Sequence, residues 1–308
     1  MSNSIFPLIN NLFDYAGLFP PAQLTLKNSL QNYFELRKHK YKQMLGKFVF
    51  PLLKFDELEN MVNHFPSVKE SLNSEHVAFT LLFNSPQTID GVLESLQKDF
   101  VNLEKLKELL PKLSIHSYEI CFPERIYFNE SFEKIIEFFH FINEKLTSLC
   151  GRFEIFIEVP FLNDAQPASF LKIFSEFRNQ GHQHFGLKLR TGGVKSDKVP
   201  SYSDLAKILL LIGKKKLPFK ATAGLHQPFP NLNESVGAVM HGFLNLLVAS
   251  LFVFYQDPTS LSGDLIAEIL ADHETKHFKP QENGFIFKNQ FFSTETITDF
   301  RSRYFKGI

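Results

Sequence analysis

Apolar stretches of strand length recur along this chain, and most are followed by a segment with helical spacing. Strand-like stretches run over Lys47–Phe50, His76–Phe83, Ile115–Phe122, Phe153–Val159, His184–Arg190 and Pro218–Ala223, with a shorter one inside Asn11–Ala22. Helical periodicity covers Leu26–Tyr41, Asp56–Phe65, Gln87–Leu110, Phe132–Leu149, Pro167–Asn179, Tyr202–Ile212 and Glu234–Phe254; Val92, Leu96, Phe100, Leu103 and Leu106 form one such apolar row. Strands alternating with helices imply a parallel sheet joined by right-handed crossovers. A TIM-like (β/α) barrel, incomplete or irregular at its last strand, fits better than a doubly wound sheet. No Gly-x-Gly-x-x-Gly follows the first strand and no Walker loop occurs. Beyond residue 258 the pattern changes: Leu265–His273 is helical, and Gly284–Phe287 with Gln290–Phe292 reads as a hairpin turning at Lys288-Asn289. The expected division is a barrel-like domain over 1–258 and a small helix-hairpin extension, 259–308, packed on it.

Size and charge narrow the function classes. A chain of 308 residues buries a substantial core, and its formal net charge of zero gives no global attraction to nucleic acid or to an acidic membrane surface. The most apolar run, Phe243–Tyr255, falls short of the roughly 20 residues that span a bilayer. Cys121 and Cys150 make no disulfide framework and no zinc spacing, and no basic-then-apolar leader opens the chain. These features predict a soluble cytoplasmic protein with neither nucleic acid nor membrane as partner. Phe is abundant, at 36 residues, while Trp is absent, so Phe is expected to carry core packing.

Side chains alternate across a strand, and that rule assigns the charged residues. In His184–Arg190, Phe185, Leu187 and Leu189 share one face while Lys188 and Arg190 share the other. In the strand from Pro218, Lys220, Thr222 and the backbone at Gly224 oppose Phe219, Ala221 and Ala223, with His226 just beyond the strand end. The same rule turns Glu119 and Glu158 inward from the two preceding strands. A central parallel strand is covered on both faces. These charges therefore gather inside the fold, near the carboxyl ends of the strands, where α/β folds place their sites.

Each group has a chemical and a structural reading. Lys220, in a poorly solvated place beside other cations, is the candidate nucleophile, because both conditions favour the free amine. Glu158 and His226 are the candidate proton carriers. Arg190-Thr191-Gly192-Gly193 suits an anion, since Arg offers a fork and glycines admit backbone N–H groups; the alternative is a plain tight turn. Lys188, Thr222, Glu119, Asp14, His241 and Asn245 complete the candidate substrate-binding set. His241 and Asn245, four apart, are assigned to one face of the helix that follows, and His241 reads more readily as structural. Asp14 either caps a turn or closes over the pocket. Asp272, His273 and His277 read as a solvated helix end. No histidine spacing supports a metal, and no cofactor is expected.

The segment Phe219-Lys220-Ala221-Thr222-Ala223-Gly224 is similar to the lysine strand of deoxyribose-phosphate-type class I aldolases, over these residues alone. Together with it, Asp14-Tyr15-Ala16-Gly17-Leu18-Phe19-Pro20-Pro21-Ala22, Lys188-Leu189-Arg190-Thr191-Gly192-Gly193 and His241-Gly242-Phe243-Leu244-Asn245 resemble a bacterial family of uncharacterised proteins. In that family a second histidine often follows the one matching His226; here Gln227 stands instead, which weakens any metal role for the turn. The resemblance implies a bacterial cytoplasmic protein and supplies no substrate.

Three functions follow. The first is an enzyme acting on a small anionic carbonyl compound, a 2-oxo acid or sugar phosphate, by Schiff-base or enolisation chemistry, as a lyase or isomerase would. The second is a non-catalytic carboxylate- or phosphate-binding protein. The third is a scaffold with a buried ion-pair layer, whose 243–255 helix forms a homo-oligomer interface.

Overall fold

The computed structural model describes residues 5–74, 77–84, 89–121, 132–149, 153–159 and 166–308. The expected strand limits at His76 and Phe122, the helix start at Gln87, the turn after Pro160 and Cys150 lie outside these residues, as does the side chain of Val92.

One seven-stranded sheet follows the order of the chain: β1 (Phe13–Tyr15), β2 (Leu45–Pro51), β3 (Ala78–Leu82), β4 (Ser114–Ile120), β5 (Glu154–Val159), β6 (Phe185–Arg190) and β7 (Phe219–Thr222). Every described pair is parallel. Helix α1 (Phe6–Ile9) precedes the sheet; α2 (Leu26–Leu36), α3 (Phe55–His64), α4 (Pro66–Leu72), α5 (Ile89–Leu109), α6 (Phe132–Leu149), α7 (Gln166–Asn179) and α8 (Tyr202–Lys214) lie in the connections. This is the singly wound α/β topology of a (β/α) barrel, since a doubly wound sheet reverses its strand order part-way.

The chain divides into two compact units. The first, Phe13–Glu158 with Glu176–Gly186, carries β1 to β4 and β5 up to Glu158. Its interior is largely phenylalanine: Phe48, Phe50, Phe55, Phe79, Phe83, Phe139, Phe177 and Phe185 are almost wholly buried, and the rings of Phe48 and Phe79 stack 5.1 Å apart. A row of polar partners, Thr80, Ser117 and Glu154, crosses β3, β4 and β5 in register. The hydroxyls of Thr80 and Ser117 bond each other at 2.5 Å, which satisfies two polar groups away from water.

The second unit comprises Met1–Leu12, Val159–Ser175 and Leu187–Ile308. After β7 it adds a hairpin, β8 (Asn231–Asn233) and β9 (Ala238–Met240), then α9 (Phe243–Tyr255) and α10 (Gly263–Ala271). An antiparallel sheet of β10 (Phe278–Gln281), β11 (Gly284–Phe287) and β12 (Gln290–Ser293), then α11 (Thr294–Arg303), complete it. Phe287 pairs with Gln290, so the turn falls at Lys288-Asn289 as the sequence predicts, with Lys288 at φ 51°.

Two helical expectations need correction. The helix expected over Glu234–Phe254 begins only at Phe243. Asn233 takes the backbone N–H and the hydroxyl of Ser235 on its side chain, and Gly237 adopts φ 71°, so a tight turn displaces the first helical turns. His241 consequently precedes the helix, and Gly242 is its N-cap. Asp272 is likewise no solvated helix end: its carboxylate accepts from His277 Nδ1 at 2.8 Å and lies 3.5 Å from Lys288 Nζ.

Helix α9 is buried on nearly all sides, from Leu244 to Phe254. Phe252 meets Phe287 and Phe292 of the antiparallel sheet, while Phe254 meets Phe219 of β7 and Tyr304. The apolar surface that the scaffold reading assigns to an oligomer interface is thus interior to the unit. No helix among the described residues is long and apolar enough to cross a membrane. The residues after α11 occupy the free edge of β7. Phe219 donates to the Tyr304 carbonyl and Ala221 to that of Gly307, while Lys306 donates back to Phe219.

Candidate active site

Within the second unit, β6 and β7 bring the two lysines together. The register pairs Lys188 with Lys220 and Arg190 with Thr222, so each pair shares one face of neighbouring strands, whose spacing is about 4.8 Å. Lys188 is 6% exposed and Lys220 1%. Leu187, Leu189, Phe219 and Ala221, which alternate with them, are fully buried. Both faces of these strands are therefore covered, as a central parallel strand requires. Arg190, at the last position of β6, is exposed, Thr222 is half-buried, and His226 lies exposed in the loop beyond β7.

The strand ends are tied by Thr191. Its backbone N–H donates to the Thr222 carbonyl at 2.8 Å, and its hydroxyl donates to the carbonyls of Ala223 and Thr222 at 2.7 and 3.2 Å. Those bonds hold Ala223 at φ 66°, a left-handed conformation unfavourable for a residue with a Cβ, next to Gly224 at φ 81°. Strained backbone of this kind persists where its surroundings impose it, and is concentrated at functional sites.

The glycines are there for close approach. A Cβ on Gly192 would come within 2.9 Å of the Met240 methyl and 3.1 Å of Gly224 Cα, and one on Gly224 would also strike the Met240 methyl. Neither Gly192 nor Gly193 has positive φ, so the plain-turn explanation does not account for them. The amide N–H groups of Gly192, Gly193 and Gly224 reach no protein acceptor among the described residues. Nearby helix starts are already capped. Ser201 takes the Asp204 N–H of α8, and the carbonyls of Gln227 and Pro228 take the N–H groups of Phe243 and Leu244 at the start of α9.

His241, 2% exposed, joins the two strand-end loops: its Nε2 donates to the Pro200 carbonyl at 2.8 Å, and its ring meets Tyr202 edge-on at 5.1 Å. Burial holds its pKa below the ordinary histidine value, in keeping with a neutral ring. Asn245 donates to the carbonyls of Ile269 and Asp272, at the C-terminal end of α10. That tie is structural. Met240 and the Pro200 carbonyl were not apparent from the sequence, because the helix read through Glu234–Phe254 concealed the hairpin that carries Met240; Asn233 and Gly237 were the signals for it.

The remaining candidates belong to the first unit. Glu119 on β4 and Glu158 on β5 are buried, at 2% and 8% exposure, and Glu119 is in register with Leu82 on one side and Phe156 on the other. Asp14 accepts the Lys47 N–H at 2.8 Å and lies 3.8 Å from Lys47 Nζ. A Cβ on Gly46 would strike the Asp14 carboxylate, so the glycine makes room for it. Asp14 thus clips β1 to β2. Among the described residues, no cluster of histidine, cysteine and carboxylate groups suits a metal ion.

No protein-family model and no curated protein matches the chain. Solved structures do resemble it. One is the tetrameric deoxyribose phosphate aldolase from Aeropyrum pernix, with 11% identity, 72% of this chain and 80% of that one covered, and a TM-score of 0.45. A mutant O-GlcNAc hydrolase from Thermobaculum terrenum shares 12% identity over 85% of this chain and 62% of its own, with a TM-score of 0.44. IolI protein with a bound zinc atom shares 12% over 78% and 90%, with a TM-score of 0.41.

Proposed function

We propose that the chain is an enzyme acting on a small anionic carbonyl compound, a 2-oxo acid or a sugar phosphate, through an amine nucleophile. The observation that carries this reading is the register of Lys188 on Lys220, two nearly buried lysines side by side on neighbouring strands. Burial and a neighbouring like charge each favour the neutral amine, which is the form that attacks a carbonyl. Lys220, the more buried, is the nucleophile. Its nitrogen bonds to the carbonyl carbon as the C–O π bond opens onto oxygen; a proton passes from nitrogen to that oxygen, and loss of water leaves the imine. His226, in the loop just past β7, is the proton carrier in this unit.

Arg190 holds the anionic end of the substrate, helped by the amides of Gly192 and Gly193. Glycine at both positions lets an oxyanion approach the backbone, and Arg supplies a planar fork. Lys188 lowers the cost of the free amine at Lys220.

The test is intact mass after incubation with aldehydes, 2-oxo acids and sugar phosphates under cyanoborohydride, beside Lys220→Ala and Lys188→Ala. One adduct, lost in Lys220→Ala and slowed in Lys188→Ala, supports the reading and names a compound class. An adduct that persists in Lys220→Ala refutes the assignment of the nucleophile. Binding of the same compounds by thermal shift, with no adduct for any, replaces it with a plain anion-binding protein.

A further inference from the structure

Met240 is the last residue of β9, and its side chain is 2% exposed. Its terminal methyl lies over both strand-end glycines: a Cβ on Gly192 or on Gly224 would collide with the same Cε. Those glycines contribute only hydrogens to the ends of β6 and β7, so the thioether fills the volume that side chains would otherwise occupy. Methionine is flexible by nature, yet this one is held at both ends. Its strand pairs with Asn231 through the hairpin, and the next residue, His241, donates to the Pro200 carbonyl in the loop after β6. The adjoining pair of the hairpin, Leu232 and Val239, turns to the other face and is 65% and 48% exposed.

We infer that Met240 is a specificity-determining residue, a wall at the ends of β6 and β7 that limits how long a chain the lysine site admits. The inference rests on the reading of that site as one for small anionic carbonyl compounds. A ligand whose anionic end reaches the amides of Gly192 and Gly193 runs its remaining carbons against the thioether. Replacing Met240 with alanine removes Cγ, Sδ and Cε and opens that space. Replacing it with leucine keeps most of the volume.

The test compares wild type, Met240→Ala and Met240→Leu against glyoxylate, pyruvate, 2-oxobutyrate and 2-oxohexanoate. Adduct rate under cyanoborohydride is followed by mass, and binding without reductant by thermal shift. Wild type and Met240→Leu should share a cut-off at short chains, while Met240→Ala should gain about tenfold or more for each methylene newly admitted. An unchanged chain-length profile in Met240→Ala, folded by circular dichroism, overturns the inference. Should Met240→Ala not fold, Met240→Val makes the same comparison with a smaller step. If wild type shifts without forming adducts, the Schiff-base reading fails while the thermal-shift profile still decides the role of Met240. If no member of the series binds to or reacts with any variant, both fall.

Discussion

Two places in the sheet hold buried charge in different ways. At the β1–β2 edge, Asp14 faces a backbone N–H and an ammonium group, both from Lys47, and Gly46 makes room for its carboxylate. On β6 and β7, Lys188 and Lys220 stand in register on one face, and past the strand ends lie a left-handed Ala223 and two glycines pressed under a methionine. The first arrangement is complementary and local, which is how a charge stabilises a fold. The second places two buried lysines in register beside strained backbone, an arrangement that suits a group that must react or bind.

The sharpest way to break this comparison is Lys220→Ala. Adduct formation should disappear altogether, while urea unfolding shows a smaller loss of stability than removal of a structural ion-pair partner would cause, about 3 to 5 kcal/mol. A loss in that range with no chemistry to remove would make the lysine pair a structural feature like Asp14.

A third buried charge sharpens the contrast. Asp99 on α5 is 2% exposed and accepts one backbone N–H, from Asn84, at 2.6 Å. Burial, only partly offset by that bond and by Lys98, pushes its pKa from 3.8 to about 6. The folded state therefore favours the neutral acid. Its stabilising share is complete below about pH 4 and is lost as pH rises through 6, by about 3 kcal/mol for the whole shift. Asp99→Asn keeps an acceptor for Asn84 without the charge. Compared with wild type by urea unfolding at pH 4 and pH 7, it should be more stable at pH 7 by roughly that amount, about 3 kcal/mol, with little difference at pH 4.

Asp14→Ala should cost about 1.5 to 3 kcal/mol in urea unfolding, the range for a hydrogen bond to a charged group, and should leave the trapped adduct unchanged below the transition. The smallest effect belongs to the strained loop. Ala223→Gly removes the Cβ from a left-handed residue, and since glycine also loses more backbone freedom on folding, the net gain should stay below about 1 kcal/mol. An unchanged or lowered stability would show that Thr191 holds the loop at no cost.

Much of the fold was legible because periodicity reports burial directly. Alternation in Phe185–Arg190 and Phe219–Thr222, with helical spacing between them, is enough to place two parallel strands with both lysines on one face. The hairpin 231–240 was not legible in the same way. Val236, Val239 and Met240 lie at spacings a helix would accept, and the turn signals at Asn233 and Gly237 decide the matter only once β8 and β9 can pair. Asp14 shows the same limit. Its partner is 33 positions away, on a strand whose register no local pattern states.

What the sequence determined by itself is therefore what depends on neighbours along the chain: the βα order, and the faces of strands that carry Lys188 with Arg190 and Lys220 with Thr222. The tertiary structure alone decided which groups meet: Lys47 on Asp14, Pro200 on His241, the Met240 methyl on Gly192 and Gly224, and Tyr304 to Gly307 along the edge of β7. The physical reason is that periodicity is set by the backbone within a few residues, whereas register and close packing follow from the simultaneous fit of segments far apart in the chain.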